Sequence, residues 1–155
     1  MLTYLFVLDS LSYDLHKLTA RLDRAADRIL QEREGISYSR FLTLFAVKNG
    51  AANQRALAVW LGQSEPSTSR MVRVLASEGL LNARRIPGGG NARRLQLTSL
   101  GAELVERGSR LLERRFEQLL ERSGVSRASY QRQTRRLLDQ LNAAVEAQPG
   151  LSDAA

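Results

Sequence analysis

The chain contains no cysteine and only one histidine, His16, among its 155 residues. Without cysteine it cannot form a disulfide, a thiolate metal site or a thiol nucleophile, and it has no thiol to sense redox state. One histidine, with no paired acids beside a nucleophile, leaves neither a catalytic triad nor a metal cluster to assemble. The sequence therefore predicts a protein that is not an enzyme and holds no metal or other cofactor. His16 is expected on the surface or at a subunit interface.

Long apolar runs are also missing. No segment approaches the roughly 18 apolar residues of a membrane-spanning helix, so no membrane partner is expected. The mainly apolar first ten residues have no basic leader and no small-residue cleavage site, and Asp9 and Asp14 interrupt the apolar run. We interpret them as the start of a helix rather than a signal peptide, and expect a cytoplasmic protein of one domain.

Acidic residues are scarce in the middle of the chain. The formal net charge is +7. Residues 36–63 carry +3 and residues 64–98 carry +4, whereas residues 1–35 and 99–155 carry −1 and +1. An arginine-rich genome explains why arginine outnumbers lysine, but it does not explain why the acids are so few here. A basic middle between balanced ends indicates a surface that faces phosphates.

Apolar residues recur at alternating spacings of three and four near the start of the chain. This pattern predicts one long helix that ends near Gly35. The helix is longer than a small core requires, so part of its apolar seam is expected to contact another chain. The seam consists of Leu8, Leu11, Leu15, Leu18, Leu22, Ala25 and Ile29.

Two short helices follow a buried helix over Tyr38–Lys48. Asn53 is placed to cap Gln54–Leu61, and Ser64 to cap the next helix, whose first turn contains a proline. Two short helices joined by a Gly-Gln turn form a helix-turn-helix. Trp60 is expected mostly in the core, with a place at the edge of a pocket as the alternative.

The helix after Ser64 has two chemically different faces. Thr68, Met71, Val72 and Leu75 share one side at 100° per residue. The opposite side carries small hydroxyls and arginines, which a DNA major groove admits. The candidate DNA-binding residues of this helix are Pro66, Ser67, Ser69, Arg70, Arg73 and Ser77.

A short basic hairpin follows this helix. Two pieces that alternate in polarity flank a glycine-rich tip, residues 87–90, which we interpret as a mobile turn because no Gly-Lys-Ser/Thr follows it. A helix followed at once by such a hairpin is suited to reading one DNA groove while touching the next. The candidate DNA-binding residues of the hairpin are Arg84, Arg85, Asn91, Arg93 and Arg94.

Two further helices complete the chain. Thr98 is placed to cap a long helix that runs to about Arg122, and Ser126 to cap the last one. Leu137, Leu138 and Leu141 are expected to face inward on that last helix. The predicted fold class is mainly α with a small β-hairpin.

The order of these elements resembles the MarR family of bacterial transcription regulators over nearly the whole chain. The resemblance implies a winged helix-turn-helix lobe over residues 36–98 and dimerisation helices over residues 1–35 and 99–148. The motifs that carry it are Leu57-Ala58, Leu61-Gly62, Glu78-Gly79-Leu80, Arg84-Arg85 and Leu97-Thr98-x-x-Gly101.

The resemblance also implies a function. It predicts a sequence-specific regulator that binds a palindromic operator in double-stranded DNA as a homodimer and acts as a ligand-responsive repressor. Leu137 and Leu141 of the last helix would then join the seam, from Leu8 to Leu22, at the dimer interface. A small aromatic ligand is expected near the dimer junction, and its candidate contacts are Tyr13, His16, Tyr38, Phe45 and Trp60.

The hairpin tip departs from the family pattern. The family carries an Asp-x-Arg before Leu97-Thr98, and an ungapped count places Gly89 and Asn91 at those positions. A hairpin two residues shorter aligns Asn91-x-Arg93 instead and keeps the arginine. An alternative function follows from this departure: a MarR-like dimer with lost or weakened DNA binding that acts as a ligand- or protein-interaction module.

Overall fold

The computed structural model describes residues 10–85 and 93–147. Six helices and one antiparallel hairpin make up these residues, which confirms the predicted fold class. The chain forms two compact units, residues 1–112 and 113–155, and the boundary falls within α5. The elements are α1 (Leu11–Glu34), α2 (Tyr38–Lys48), α3 (Gln54–Leu61), α4 (Glu65–Ser77), β1 (Leu81–Arg85), β2 (Arg93–Leu97), α5 (Ser99–Ser123) and α6 (Arg127–Ala147).

Helix α1 begins after Ser10, whose side chain accepts a hydrogen bond from the backbone N–H of Tyr13. It ends at Gly35, whose φ of 67° is the left-handed conformation that glycine adopts without a steric penalty. The C-terminal end agrees with the prediction of one long helix ending near Gly35. The predicted start in the first nine residues, including the Leu8 seam position, lies outside the described residues.

The core of the first unit differs from the predicted seam. Leu30 is the one buried residue of α1, and the seam did not include it. The seam positions Leu11, Leu15 and Leu18 are exposed in the single chain. Leu30 is buried because it packs with α2 and α5 residues in the main hydrophobic cluster, whereas the seam lies on other sides of α1. That cluster includes Phe41, Leu44, Leu57, Val72, Leu75, Leu81, Leu95 and Val105.

The first short helix has the predicted bounds, and both short helices have the predicted caps. The Asn53 side chain accepts a hydrogen bond from the Ala56 N–H at 2.9 Å, and Ser64 Oγ accepts one from the Ser67 N–H at 3.4 Å. Each cap satisfies a backbone donor that the first helical turn leaves without a partner. Gly62 then ends α3 with a φ of 61°.

Trp60 is not mainly in the core. Its side chain remains 45% exposed, because α3 turns Leu57 and Ala58 inward and leaves Trp60 at the edge, where its ring lies 6.1 Å from that of Phe45. The expectation of a mostly core tryptophan was therefore wrong.

Strands β1 and β2 pair antiparallel, with Leu81 opposite Leu97 and Arg85 opposite Arg93. The segment that precedes α3 also pairs with β2. The Leu95 N–H donates to the Ala52 carbonyl at 2.8 Å, and Asn53 forms a β-bridge with Arg94. The stem of the hairpin is thereby tied to the residues that precede α3. The tip, including Asn91, lies outside the described residues.

The second unit contains the end of α5 and all of α6. Ser126 begins α6 as predicted: its Oγ accepts from the Ser129 N–H at 3.4 Å. The rings of Phe116 and Tyr130 lie 6.5 Å apart. The inward orientation expected for Leu137, Leu138 and Leu141 was wrong, since all three side chains are exposed.

Candidate nucleic-acid interface

Helix α4 separates its two faces as the periodicity predicts. Thr68, Val72 and Leu75 are buried against the core. Most of the candidate DNA-binding residues on the other side are open to solvent, and Ser69 is half-buried. The exposed members are Pro66, Ser67, Arg70, Arg73 and Ser77.

The arginines of α4 are available to a ligand. Arg70 forms no ion pair within the part of the chain that the structure describes. Arg73 makes one long hydrogen bond, from its Nε to the Ser69 carbonyl at 3.4 Å. An exposed guanidinium without a carboxylate keeps its donors free for a base edge or a phosphate oxygen.

Four exposed arginines, which we call the stem arginines, face each other across the hairpin: Arg84 lies opposite Arg94, and Arg85 opposite Arg93. Like charges directly opposite each other in a sheet destabilise it. Because side chains alternate along a strand, the two pairs point to opposite faces of the hairpin. The hairpin therefore carries positive charge on both of its faces, whereas Leu81 and Leu95 of the same strands are buried.

Arg55 was missed by the sequence analysis. It is exposed on the first turn of α3 and, among the described residues, has no ion-pair partner. It lies two residues after Asn53, which bridges to Arg94. Residues 36–63 contain no acid, so no carboxylate near Arg55 in the sequence could neutralise it, and this was the signal for a candidate DNA contact.

The basic region, residues 36–98, contains two acids, and neither forms an ion pair with the exposed arginines of α4. Glu65 lies in the first turn of α4, where the helix dipole favours a negative charge. Glu78 follows the last turn and forms an ion pair with Arg40 of α2. The ion pair between Glu78 and Arg40 joins residues far apart in sequence, and no local sequence pattern indicated it.

The candidate ligand contacts do not form one site in the described chain. Tyr13 and His16 are exposed on α1, and the Lys17 ammonium lies 4.9 Å from the Tyr13 ring centre. Phe45 packs between Phe41 and Trp60. Trp60 instead borders a shallow depression of about 410 Å³ on α3, together with Asn53, Arg55, Ala56 and Val59.

Tyr38 borders a separate depression of about 680 Å³ between α1 and the start of α2. Burial raises the pKa of the Tyr38 hydroxyl above its usual 10.0, and the Asp23 carboxylate adds to this. The hydroxyl therefore stays neutral at physiological pH and can donate a hydrogen bond. The other residues around the depression are Asp23, Arg24, Asp27, Arg28, Gln31, Glu32 and Ser39.

Two helices expose apolar residues at the positions expected for a dimer. Leu11 of α1 is 75% exposed and Leu141 of α6 is 63% exposed. Leu22 is half-buried, and Leu15, Leu18 and Leu137 are exposed. On each of these helices the exposed leucines form a series rather than single scattered residues.

Other kinds of site find no support in the described residues. No group of three or more histidine, aspartate or glutamate side chains is placed to hold a metal ion there. Within the same residues, no helix combines the length and the apolar content that crossing a bilayer requires.

Comparisons with known proteins identify the fold. No family model matches the sequence, and no curated protein matches it. Solved structures do match. A mutant MarR from E. coli is 21% identical with a TM-score of 0.71, over 86% of this chain and 97% of that one. A MarR/EmrR family regulator from Acinetobacter is 20% identical with a TM-score of 0.72, over 88% and 94%.

A third match is a complex with DNA. The S. aureus MepR of that complex is 21% identical to this chain with a TM-score of 0.67, over 87% of this chain and 96% of that one. All three matches cover at least 86% of this chain and at least 94% of the matched chain. The protein therefore has the fold of the MarR-family transcriptional regulators.

Proposed function

We propose that this protein is a sequence-specific, double-stranded-DNA-binding transcription regulator that acts as a homodimer. The observation that carries the proposal is the face of α4 that bears exposed arginines and serines, opposite a face whose apolar side chains are buried. Arginine recognises guanine through O6 and N7, and serine pairs with several base edges. We therefore call α4 the recognition helix.

The stem arginines support the same function. Two cross-strand pairs of like charge raise the energy of the free hairpin, and an anion between or beside them lowers it. Duplex DNA supplies phosphates on both walls of a groove, so a hairpin with cations on both faces fits between them. Arg55 lies two residues after Asn53, which forms a β-bridge with Arg94, and we propose that Arg55 and Arg94 contact the same DNA backbone.

The apolar faces of α1 and α6 support a homodimer. Burying a leucine side chain contributes about 1.5–3 kcal/mol, so covering these exposed leucines with a second copy would stabilise the protein considerably. A two-fold dimer carries two recognition helices, and it therefore requires a palindromic site with half-sites about one helical turn apart.

We further propose that the dimer is a repressor that a small ligand releases. We place the ligand at the depression beside Tyr38, because this depression combines a neutral hydroxyl that can donate a hydrogen bond with charged side chains of α1. A DNA-bound regulator acts where the DNA is, which agrees with the expected cytoplasmic location.

Selection of bound duplexes from a random library tests the proposal. We expect one enriched motif made of two inverted half-sites. Arg73→Ala should then weaken binding to the selected duplex by about 1–3 kcal/mol while changing binding to a scrambled duplex little, if Arg73 contacts a base. A phosphate contact would weaken both duplexes alike.

Arg110→Ala is the matched control, because Arg110 is exposed on α5 outside the basic region. It should leave binding to both duplexes nearly unchanged. If the wild-type protein enriches no motif, the proposal is wrong, and the alternative of a dimer that serves as a ligand- or protein-interaction module takes its place.

A further inference from the structure

Arg40 connects α2 to the end of the recognition helix. It lies in the first turn of α2, and its guanidinium forms an ion pair with Glu78, the C-cap of α4. The Arg40 side chain is 26% exposed and that of Glu78 is 40% exposed. Within the described residues, Arg40 pairs with no other acid, and its buried Nε has no hydrogen-bond partner. The buried part of this guanidinium therefore depends on one carboxylate.

The start of α2 is a rigid base for Arg40. The Tyr38 N–H donates to Asp27 Oδ1 of α1 at 2.8 Å. Phe41, the residue after Arg40, is buried in the core, and the Thr43 hydroxyl donates to the Ser39 carbonyl at 3.0 Å. Arg40 thus extends from a segment that cannot shift without breaking contacts with α1 and the core.

The C-terminal end of the recognition helix is its fixed end. The Leu80 N–H donates to the Leu75 carbonyl at 3.0 Å, and the Thr98 hydroxyl donates to the Gly79 carbonyl at 2.7 Å. The first turn, by contrast, is exposed. A helix of 13 residues is about 20 Å long, so a tilt of about 5° at the fixed end moves the first turn by about 2 Å.

We propose that Arg40 and Glu78 form a positioning pair, which sets the angle of the recognition helix and so determines how sharply the protein discriminates between DNA sequences. The proposal rests on the DNA-binding function proposed above. A displacement of about 2 Å exceeds the tolerance of about 0.5 Å within which a binding group works, whereas contacts to phosphates are less selective. Neither residue needs to touch DNA for this role.

A purely electrostatic role makes a different prediction. Arg40 adds positive charge near the phosphates and Glu78 adds negative charge. If charge alone mattered, Arg40→Gln would weaken binding to every duplex and Glu78→Gln would strengthen it. A positioning role requires instead that both substitutions reduce the preference for the selected duplex.

The test is fluorescence anisotropy at one salt concentration, with the duplex selected by the wild-type protein and a scrambled duplex of equal length. We expect Arg40→Gln and Glu78→Gln each to lower the ratio of the two affinities about tenfold. Arg40→Lys keeps the charge and should hold the ratio within about threefold of wild type. The effects of the two glutamine substitutions should not add in the double variant, because either one breaks the pair.

The pair between Arg107 and Glu34, at 3.0 Å, is the matched control, since it also joins two helices but does not involve α4. Arg107→Gln should leave the ratio unchanged. Thermal unfolding of each variant checks folding, and the double variant avoids a buried charge without a partner. Opposite effects of the two single substitutions, equal on both duplexes, would overturn the positioning role alone. A wild-type protein that shows no preference would overturn the DNA-binding proposal as well.

Discussion

Gly101 is the residue where the backbone has least room. A Cβ built at this position lies 2.0 Å from the Leu80 carbonyl oxygen, which is far inside contact distance. The Gly101 N–H also donates to Thr98 Oγ1 at 3.0 Å as part of the α5 cap. The first turn of α5 therefore packs directly on the segment that joins the recognition helix to the hairpin.

Gly101→Ala should destabilise the protein by about 1–3 kcal/mol, because the added methyl group forces this backbone contact apart. Helix propensity alone predicts the opposite, a gain of about 1 kcal/mol. The sign of the change in a urea unfolding experiment therefore decides between the two effects.

Gly108→Ala is the graded control for that prediction. Its Cβ would meet the edge of the Phe41 ring at 2.5 Å, and a side chain can move where a backbone carbonyl cannot. We expect a smaller loss of stability than at Gly101. Equal or greater stability of Gly101→Ala than of wild type would contradict the close packing described here.

At the level of the elements, the helices could be predicted because their ends depend on neighbouring residues. The side chains of Asn53, Ser64 and Ser126 each accept a hydrogen bond from the backbone N–H three residues later. Such caps can be recognised in a sequence because both partners are close along the chain. The two faces of α4 were predictable for the same reason, since periodicity is a local property.

Contacts between distant residues could not be predicted in this way. The pair between Arg40 and Glu78, and the β-bridge between Asn53 and Arg94, each depend on how separate elements meet. Leu30 was missed because the seam pattern follows the side of α1 that the single chain leaves uncovered, whereas the core occupies another side. The roles of the individual candidate DNA-binding residues remain predictions.

The apolar face of α1 gives a prediction for this element. Leu15→Glu combined with Leu18→Glu should convert the dimer into monomers, because two charges would be placed in the proposed interface. Val59→Glu is the control: Val59 is 78% exposed on α3 and lies outside that interface. Its variant should remain dimeric in sedimentation equilibrium.

Two results would bear against the proposed interface. If the double variant sediments as a folded dimer, the leucines of α1 do not form the interface. If Val59→Glu gives monomers instead, the dimer is built on the helix-turn-helix, and both DNA-binding surfaces would have to be reconsidered.

Considered as a whole, the molecule concentrates its positive charge where its exposed arginines are. The net charge of +7 comes from residues 36–98, which include the recognition helix and both strands of the hairpin. Like charges that lie directly opposite each other, as in the two arginine pairs of the hairpin, lower the stability of a sheet. We expect the binding of phosphates to offset this loss of stability.

The salt dependence of binding to the selected duplex tests this claim most directly. Each phosphate neutralised contributes about −0.9 to the slope of log affinity against log salt. Arg84→Gln with Arg94→Gln removes four cations from a dimer, so the slope should become shallower by about 4. Arg33→Gln with Arg110→Gln removes the same charge outside the basic region and should leave the slope nearly unchanged. Equal slopes for wild type and the hairpin variant would contradict the account.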